Sequence, residues 1–186
     1  MKHVLVPLAD GFEEIEAVTV IDLLRRAGLR VTVAGLGGMS ATGSHGITIE
    51  CDARFERCDL AHVDALVLPG GMPGAQRLRE SDAVRDAVVR LVEEGRLVAA
   101  ICAAPTVLEA AGVLAGRRAT SHPAHRYEMT SCRYEENAVV EDENLVTSRG
   151  AGTSIDFAAA LIRRLAGDEA AKDILARIQY GSQSLP

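Results

Sequence analysis

Leu97-Val98-Ala99-Ala100-Ile101-Cys102-Ala103-Ala104-Pro105-Thr106 is the stretch whose reading decides the fold. Five apolar residues in a row fit a strand covered on both faces, as in the centre of a parallel sheet. Pro105 fits the first turn of a helix, where its missing N–H costs nothing. The stretch therefore predicts a strand running into a helix, with Cys102 at the sharp turn between them. Small neighbours allow the tight, strained backbone that presents a nucleophile in other hydrolytic folds. A thiol at a helix N-terminus faces unpaired N–H groups and the positive end of the dipole, which favour the thiolate. Cys102 is therefore expected to titrate below the free thiol value of about 8.5. The competing reading, a buried core cysteine, stays open on this stretch alone.

Outward from it, strands and helices alternate. His3–Leu8 reads as a strand. Glu13–Ala27 carries Ile15, Val18, Ile21, Leu24 and Ala27 in near-helical spacing, with Gly28 where a helix ends. Residues 29–36 form the next strand, Ile47–Glu50 a side strand or hairpin arm, and Ala65–Leu68 a third core strand ending in Pro69-Gly70-Gly71. Ser81 or Asp82 opens a helix that Gly95 stops. After the deciding stretch, a hairpin is expected over 137–148, a helix over 153–166 and a last helix that Asp168 caps, running to about Gln179. This order predicts an α/β fold with a parallel, doubly wound sheet, whose ligands bind beyond the C-terminal ends of the strands. Glu13–Glu16, Pro69–Gly71 and Cys102 all follow strands and should share that edge.

The 186 residues are 48% hydrophobic and 25% charged, the balance of a globular chain that forms one domain, residues 1–186. Aromatics are 3% and Trp is absent, so Val, Leu, Ile and Ala must build the core. A net charge of −6 argues against a nucleic-acid partner, which needs a basic face. The longest apolar run, 97–108, is too short for a membrane span, and the first residues lack the long apolar region of a signal peptide. Cys51, Cys58, Cys102 and Cys132 form no C-x-x-C pair and read as free thiols, with the cytoplasm as the expected compartment.

Glu16 follows Ile15 and precedes Ala17-Val18, near the inward stripe of its helix. An acid there must be hydrogen-bonded or protonated, and a raised pKa would let it exchange protons near neutrality. Glu13 and Glu14 read as acids that favour the first helical turn. Gly70-Gly71 can turn the chain and present N–H groups, and the amides of Gly71 and Ala103 are the natural pair for an oxyanion, although a plain strand-exit turn explains the glycines equally. His122-Pro123-Ala124-His125 lacks the further ligands of a metal site, so no metal is expected; one His near the thiol is. Thr147-Ser148-Arg149-Gly150-Ala151-Gly152-Thr153-Ser154 resembles an anion cradle but lacks the Walker Lys, so nucleotide is not expected and capping is the simpler role.

Together these stretches resemble the ThiJ/PfpI superfamily, in the branch of the human parkinsonism-associated deglycase and its bacterial relatives. Gly11-Phe12-Glu13-Glu14-Ile15-Glu16, Val67-Leu68-Pro69-Gly70-Gly71, Ala99–Thr106, Thr120-Ser121-His122-Pro123 and residues 147–157 occur in family order over nearly the whole chain. The resemblance implies a flavodoxin-like three-layer sandwich, with a mostly parallel central sheet, and a homodimer. It maps the nucleophile onto Cys102, the acid onto Glu16, the nearby His onto His122 and the oxyanion amides onto Gly71 and Ala103. It implies a cofactor-free, glutathione-independent glyoxalase or deglycase acting on small α-oxoaldehydes or glycated proteins. A redox sensor or stress chaperone that forms a Cys102 sulfinate is the alternative, and a cysteine peptidase or amidotransferase-like hydrolase a weaker one. His45 stands where relatives often carry Arg at a dimer-facing rim, and Ala151 where they carry Pro.

Overall fold

The computed structural model describes residues 1–181. In chain order its elements are β1 (His3–Leu8), α1 (Glu14–Arg26), β2 (Arg30–Gly35), β3 (Ser40–Thr42), β4 (Thr48–Glu50), β5 (Ala53–Arg54), β6 (Ala65–Leu68), α2 (Gly74–Glu80), α3 (Asp82–Glu93), β7 (Leu97–Ile101), α4 (Pro105–Ala110), β8 (Arg118–Ala119), β9 (Arg133–Tyr134), β10 (Val139–Asp142), β11 (Leu145–Ser148), α5 (Ser154–Ala166) and α6 (Asp168–Arg177). One sheet runs in the order β10-β11-β7-β6-β1-β2-β5. Its neighbours pair parallel, apart from the antiparallel β10–β11 hairpin. β3 and β4 form a small antiparallel hairpin beside it.

Strand side chains alternate between faces, and this sorts the core into two layers. Val4, Val6 and Leu8 of β1, Ala65 and Val67 of β6, and Leu97, Ala99 and Ile101 of β7 pack with Val20 and Leu24 of α1, Phe157 and Leu161 of α5, and Ile174 of α6. Leu5, Leu66, Leu68, Val98 and Ala100 face the other way, against Leu78 of α2, Val84, Val88 and Leu91 of α3, and Leu108 of α4. The result is helix, sheet, helix: the expected three-layer sandwich with a mostly parallel sheet.

Local chemistry sets the helix ends. The Glu13 carboxylate caps α1 by accepting the Glu16 N–H at 2.8 Å. Gly28, with φ +77°, carries the chain out of it. α6 differs slightly from expectation: it begins after Gly167 as its cap and ends at Arg177. α2, β5, β8 and β9 were not foreseen, since two to seven residues hold too little periodicity to read. Among the described residues, no helix is long and apolar enough to cross a membrane.

From β1 the chain moves to β2 and β5 on one side of the sheet, then returns to β6 and β7 on the other. At that reversal the carboxyl ends of neighbouring strands diverge and open a crevice. The loops leaving β1, β6 and β7 meet there.

Candidate active site

Cys102 has φ +65°, a left-handed conformation costing on the order of 1–2 kcal/mol for a residue with a Cβ. Backbone hydrogen bonds hold it there. Its N–H donates to the Ser148 carbonyl at 2.9 Å, and its own carbonyl accepts the His122 N–H at 2.8 Å. The strained turn expected between β7 and α4 is present, and the same bonds bring His122 to the thiol.

Gly70 lies against both Cys102 and Glu16. A Cβ on it would lie 2.6 Å from both the Cys102 Cβ and Glu16 Oε2, and 2.8 Å from the Ile101 carbonyl oxygen. Only glycine lets the β6 exit approach so closely. Its N–H donates to Glu16 Oε2 at 2.8 Å, and its carbonyl accepts the Glu13 N–H at 3.0 Å. Glu16 is 1% exposed. Its other oxygen, Oε1, has no N–H or O–H partner among the described residues, and the Cys102 thiol is the polar group beside it.

Burial raises the Glu16 carboxyl to about 7, although the Cys102 thiol and the Gly70 amide act to lower it. The expectation of an acidic thiol is corrected. Burial and then the Glu16 carboxylate push Cys102 up to about 12, and the amides of Gly71 and Ala103, which hydrogen-bond the sulfur, only partly offset this. A helix N-terminus favours a thiolate; a dry site with a carboxylate against the sulfur disfavours it more strongly. The two groups titrate as a pair. One proton leaves near neutrality and the second far above it, so a thiolate forms when Glu16 holds the shared proton.

The His122 side chain is exposed, and its Nδ1 accepts the Ala124 N–H at 3.2 Å. A neutral ring therefore carries its proton on Nε2. The His125 ring stands edge-on at 6.3 Å between centroids, with Nδ1 2.7 Å from Glu128 Oε1. The two imidazoles are thus committed to different partners. The 147–154 loop closes on itself: Gly150 N–H donates to Thr153 Oγ1 at 3.1 Å, and the Thr153 hydroxyl to the Gly150 carbonyl at 2.9 Å. The closeness of Gly150 to the thiol and acid carried no signal in the sequence.

Glu13 and Glu14 do more than favour a helix dipole. Glu13 is the cap. Glu14 is buried, and its carboxylate accepts the His45 N–H at 2.6 Å, the Ser44 hydroxyl at 3.3 Å and the Ile47 N–H at 3.4 Å, with His45 Nδ1 at 3.0 Å. Burial opposes its charge, but hydrogen bonds from the His45 ring and backbone outweigh this and hold it at about 2. Glu13, Glu14 and His45 bring ligand-type atoms within 4.8 Å of one another, yet these hydrogen bonds already occupy both carboxylates. Because the folded-state value is depressed, this carboxylate's contribution to stability is complete above the unfolded value of about 4.5 and is lost as pH falls toward 2. Thermal midpoints from pH 6 to pH 2.5 should fall more steeply for the wild type than for Glu14→Gln; parallel curves would contradict this.

The DJ-1/PfpI family pattern matches residues 2–164. The chain is 43% identical over 185 residues to the Parkinson disease protein 7 homolog of Danio rerio, covering 94% of this chain and 95% of that protein. It is 38% identical over 152 residues to a protein of Pyrococcus abyssi named a deglycase, covering 81% and 91%. The crystal structure of Drosophila melanogaster DJ-1beta superposes with a TM-score of 0.93 at 40% identity, over 96% of this chain and 97% of that one. Fold, sequence and the residues gathered at the sheet edge agree: this chain belongs to the DJ-1/PfpI family.

Proposed function

We propose that the protein is a cofactor-independent glyoxalase or deglycase acting on small α-oxoaldehydes such as methylglyoxal, or on their early protein adducts. Cys102 sulfur adds to the aldehyde carbon. The C=O π bond becomes an alkoxide that the Gly71 and Ala103 amides hold, and protonation gives a hemithioacetal. Glu16 takes the proton from that carbon and returns one to the neighbouring carbonyl carbon. The first carbon is thereby oxidised and the second reduced, with no outside oxidant. Water then cleaves the thioester, giving a hydroxy acid and the free thiol. His122, whose Nδ1 accepts a backbone N–H, has its Nε2–H left to donate to the substrate.

The observation that carries this reading is the buried Glu16 carboxyl. One oxygen is held by Gly70, the other has no N–H or O–H partner, and its pKa of about 7 suits proton exchange near neutrality. The Pyrococcus relative is named a deglycase, which supports the deglycase part of this reading. Purified protein with methylglyoxal, without glutathione or metal, should give lactate, and Cys102→Ser should give none. No product from the wild type would reject the reading.

The Gly71 and Ala103 amides at the sulfur also suit the oxygens of a sulfinate, which supports redox sensing as a second reading. A Cys–His hydrolase is disfavoured, since His122 Nδ1 is taken by a backbone amide rather than oriented by a carboxylate. Ile15, Val18 and Ile47 are 56%, 46% and 56% exposed around Glu14 and support a homodimer through this face. Light scattering at micromolar protein should give twice the chain mass; a monomer would remove the proposal.

A further inference from the structure

Cleavage of a thioester by water needs a base, and His122 keeps its ring proton on Nε2, where it can only donate. Glu16 is 1% exposed, away from bulk water. His125 differs from both. Its Nδ1 lies 2.7 Å from Glu128 Oε1, within the short helical segment Pro123–Glu128. Arg79 of α2 donates to the other oxygen of the same carboxylate. The His125 ring first, and then Arg79, hold the Glu128 carboxyl below its usual range, although burial opposes this. Glu128 is therefore the acceptor. The imidazole must place its proton on Nδ1, which leaves Nε2 of a neutral ring as a lone pair. A carboxylate holding the far nitrogen in this way readies a histidine to take a proton. The His125 side chain is 20% exposed, enough to meet water. With Met72, Gln76, Arg79 and Thr106, the pair lines a cavity of about 40 Å³. That is room for about one water, with polar groups on several sides to hold it. Met72 follows Gly71, and the Thr106 hydroxyl donates to the Ala103 carbonyl at 2.7 Å. The cavity thus adjoins the loops that supply both oxyanion amides.

We propose that His125, held by Glu128, is the base of the hydrolytic half of the reaction and draws a proton from the water that cleaves the Cys102 thioester. The water oxygen bonds to the thioester carbon while one of its protons passes to His125 Nε2. The oxyanion so formed rests on the Gly71 and Ala103 amides. The carbon–sulfur bond then breaks and the acid leaves. The proton on His125 passes through solvent to the sulfur, which restores the thiol and the neutral ring. Glu128 fixes the tautomer and stabilises the imidazolium while it exists, and Arg79 keeps the carboxylate in place. Glu16 thus moves protons between substrate carbons, and His125 serves the water. In taking the acyl group from an aldehyde the inference rests on the proposed glyoxalase chemistry; as a base for any Cys102 thioester it does not.

An activated ester, p-nitrophenyl acetate, makes a Cys102 thioester without any aldehyde. Release of nitrophenolate reads acylation, and loss of the acetyl group from the Cys102 peptide, followed by mass, reads hydrolysis. His125→Ala should leave acylation within about threefold of wild type and slow hydrolysis by roughly 10²-fold, and added imidazole should restore part of the loss. Glu128→Gln should slow hydrolysis by roughly tenfold. His62→Ala, which removes an imidazole beside Asp59 ahead of β6, at the opposite edge of the sheet, should match the wild type. Hydrolysis by His125→Ala within about threefold of wild type would overturn the proposal. So would equal slowing of both steps, which would make His125 a wall of the pocket, and so would a wild-type Cys102 that the ester does not acetylate or whose acetyl group water does not remove. Slowed acetyl hydrolysis in His125→Ala beside a wild type that turns over no aldehyde would uphold the base and reject the glyoxalase reading.

Discussion

Glu16→Gln should lower aldehyde turnover by roughly 10²–10⁴-fold, the usual share of general acid–base catalysis. The amide keeps an oxygen for the Gly70 N–H and puts a donor beside the thiol, so geometry is preserved and only proton exchange is lost. Glu16→Asp keeps a titrating group on a shorter arm and should retain some activity. Stability separates this from misfolding. The folded protein holds the Glu16 proton up to about 7, whereas the unfolded chain loses it near 4.5. Between these values the native state binds more protons, so stability falls as pH rises. Glu16→Gln should therefore melt no lower than wild type at pH 8 and lose its advantage at pH 4. Near-wild-type turnover by the folded variant would reduce Glu16 to a structural partner of the thiol.

Gly71→Ala should cost about 2–5 kcal/mol, from overpacking plus left-handed strain, and lower the thermal midpoint by about 5–15 °C. Gly71 has φ +88°, and an added Cβ would overlap the Glu13 amide nitrogen while lying 2.5 Å from the Phe12 carbonyl carbon and 2.7 Å from the Gly11 oxygen. These are backbone atoms of the loop that leads into α1, and they cannot swing aside as a side chain can. The start of α1 would have to shift, and Glu16 with it. Gly28 is the control: its φ is +77°, but a Cβ there meets nothing within 4 Å, so Gly28→Ala should cost only about 1 kcal/mol. Equal midpoints for the two variants would mean that the loops are not packed as described.

The layered fold was legible because the strands that matter are apolar throughout. Leu97–Ile101 and Ala65–Leu68 have no polar face, which admits only a sheet covered on both sides. The meeting of Glu16, Gly71, Cys102 and Ala103 was legible in outline, since each follows a strand and the ends of parallel strands share an edge. The thiol's direction of titration was not. It depends on the carboxylate lying directly against the sulfur, a contact between residues 86 positions apart that no local pattern records. The further role of Glu14 was not legible because its partners, His45 and Ile47, come from a hairpin some thirty residues away.

The bond from Cys102 N–H to the Ser148 carbonyl also sets a clock on biosynthesis. The turn around the thiol cannot close until β11 has emerged to pair with β7. About fifty residues separate Cys102 from the first turn of α5. At translation rates of about 5–20 residues per second, the nascent chain carries Cys102 for roughly 3–10 s as an ordinary solvated thiol, without its carboxylate neighbour or its amides. During that interval it has the reactivity of any unfolded cysteine. The thiol is thus least protected by its surroundings while the chain is still being made.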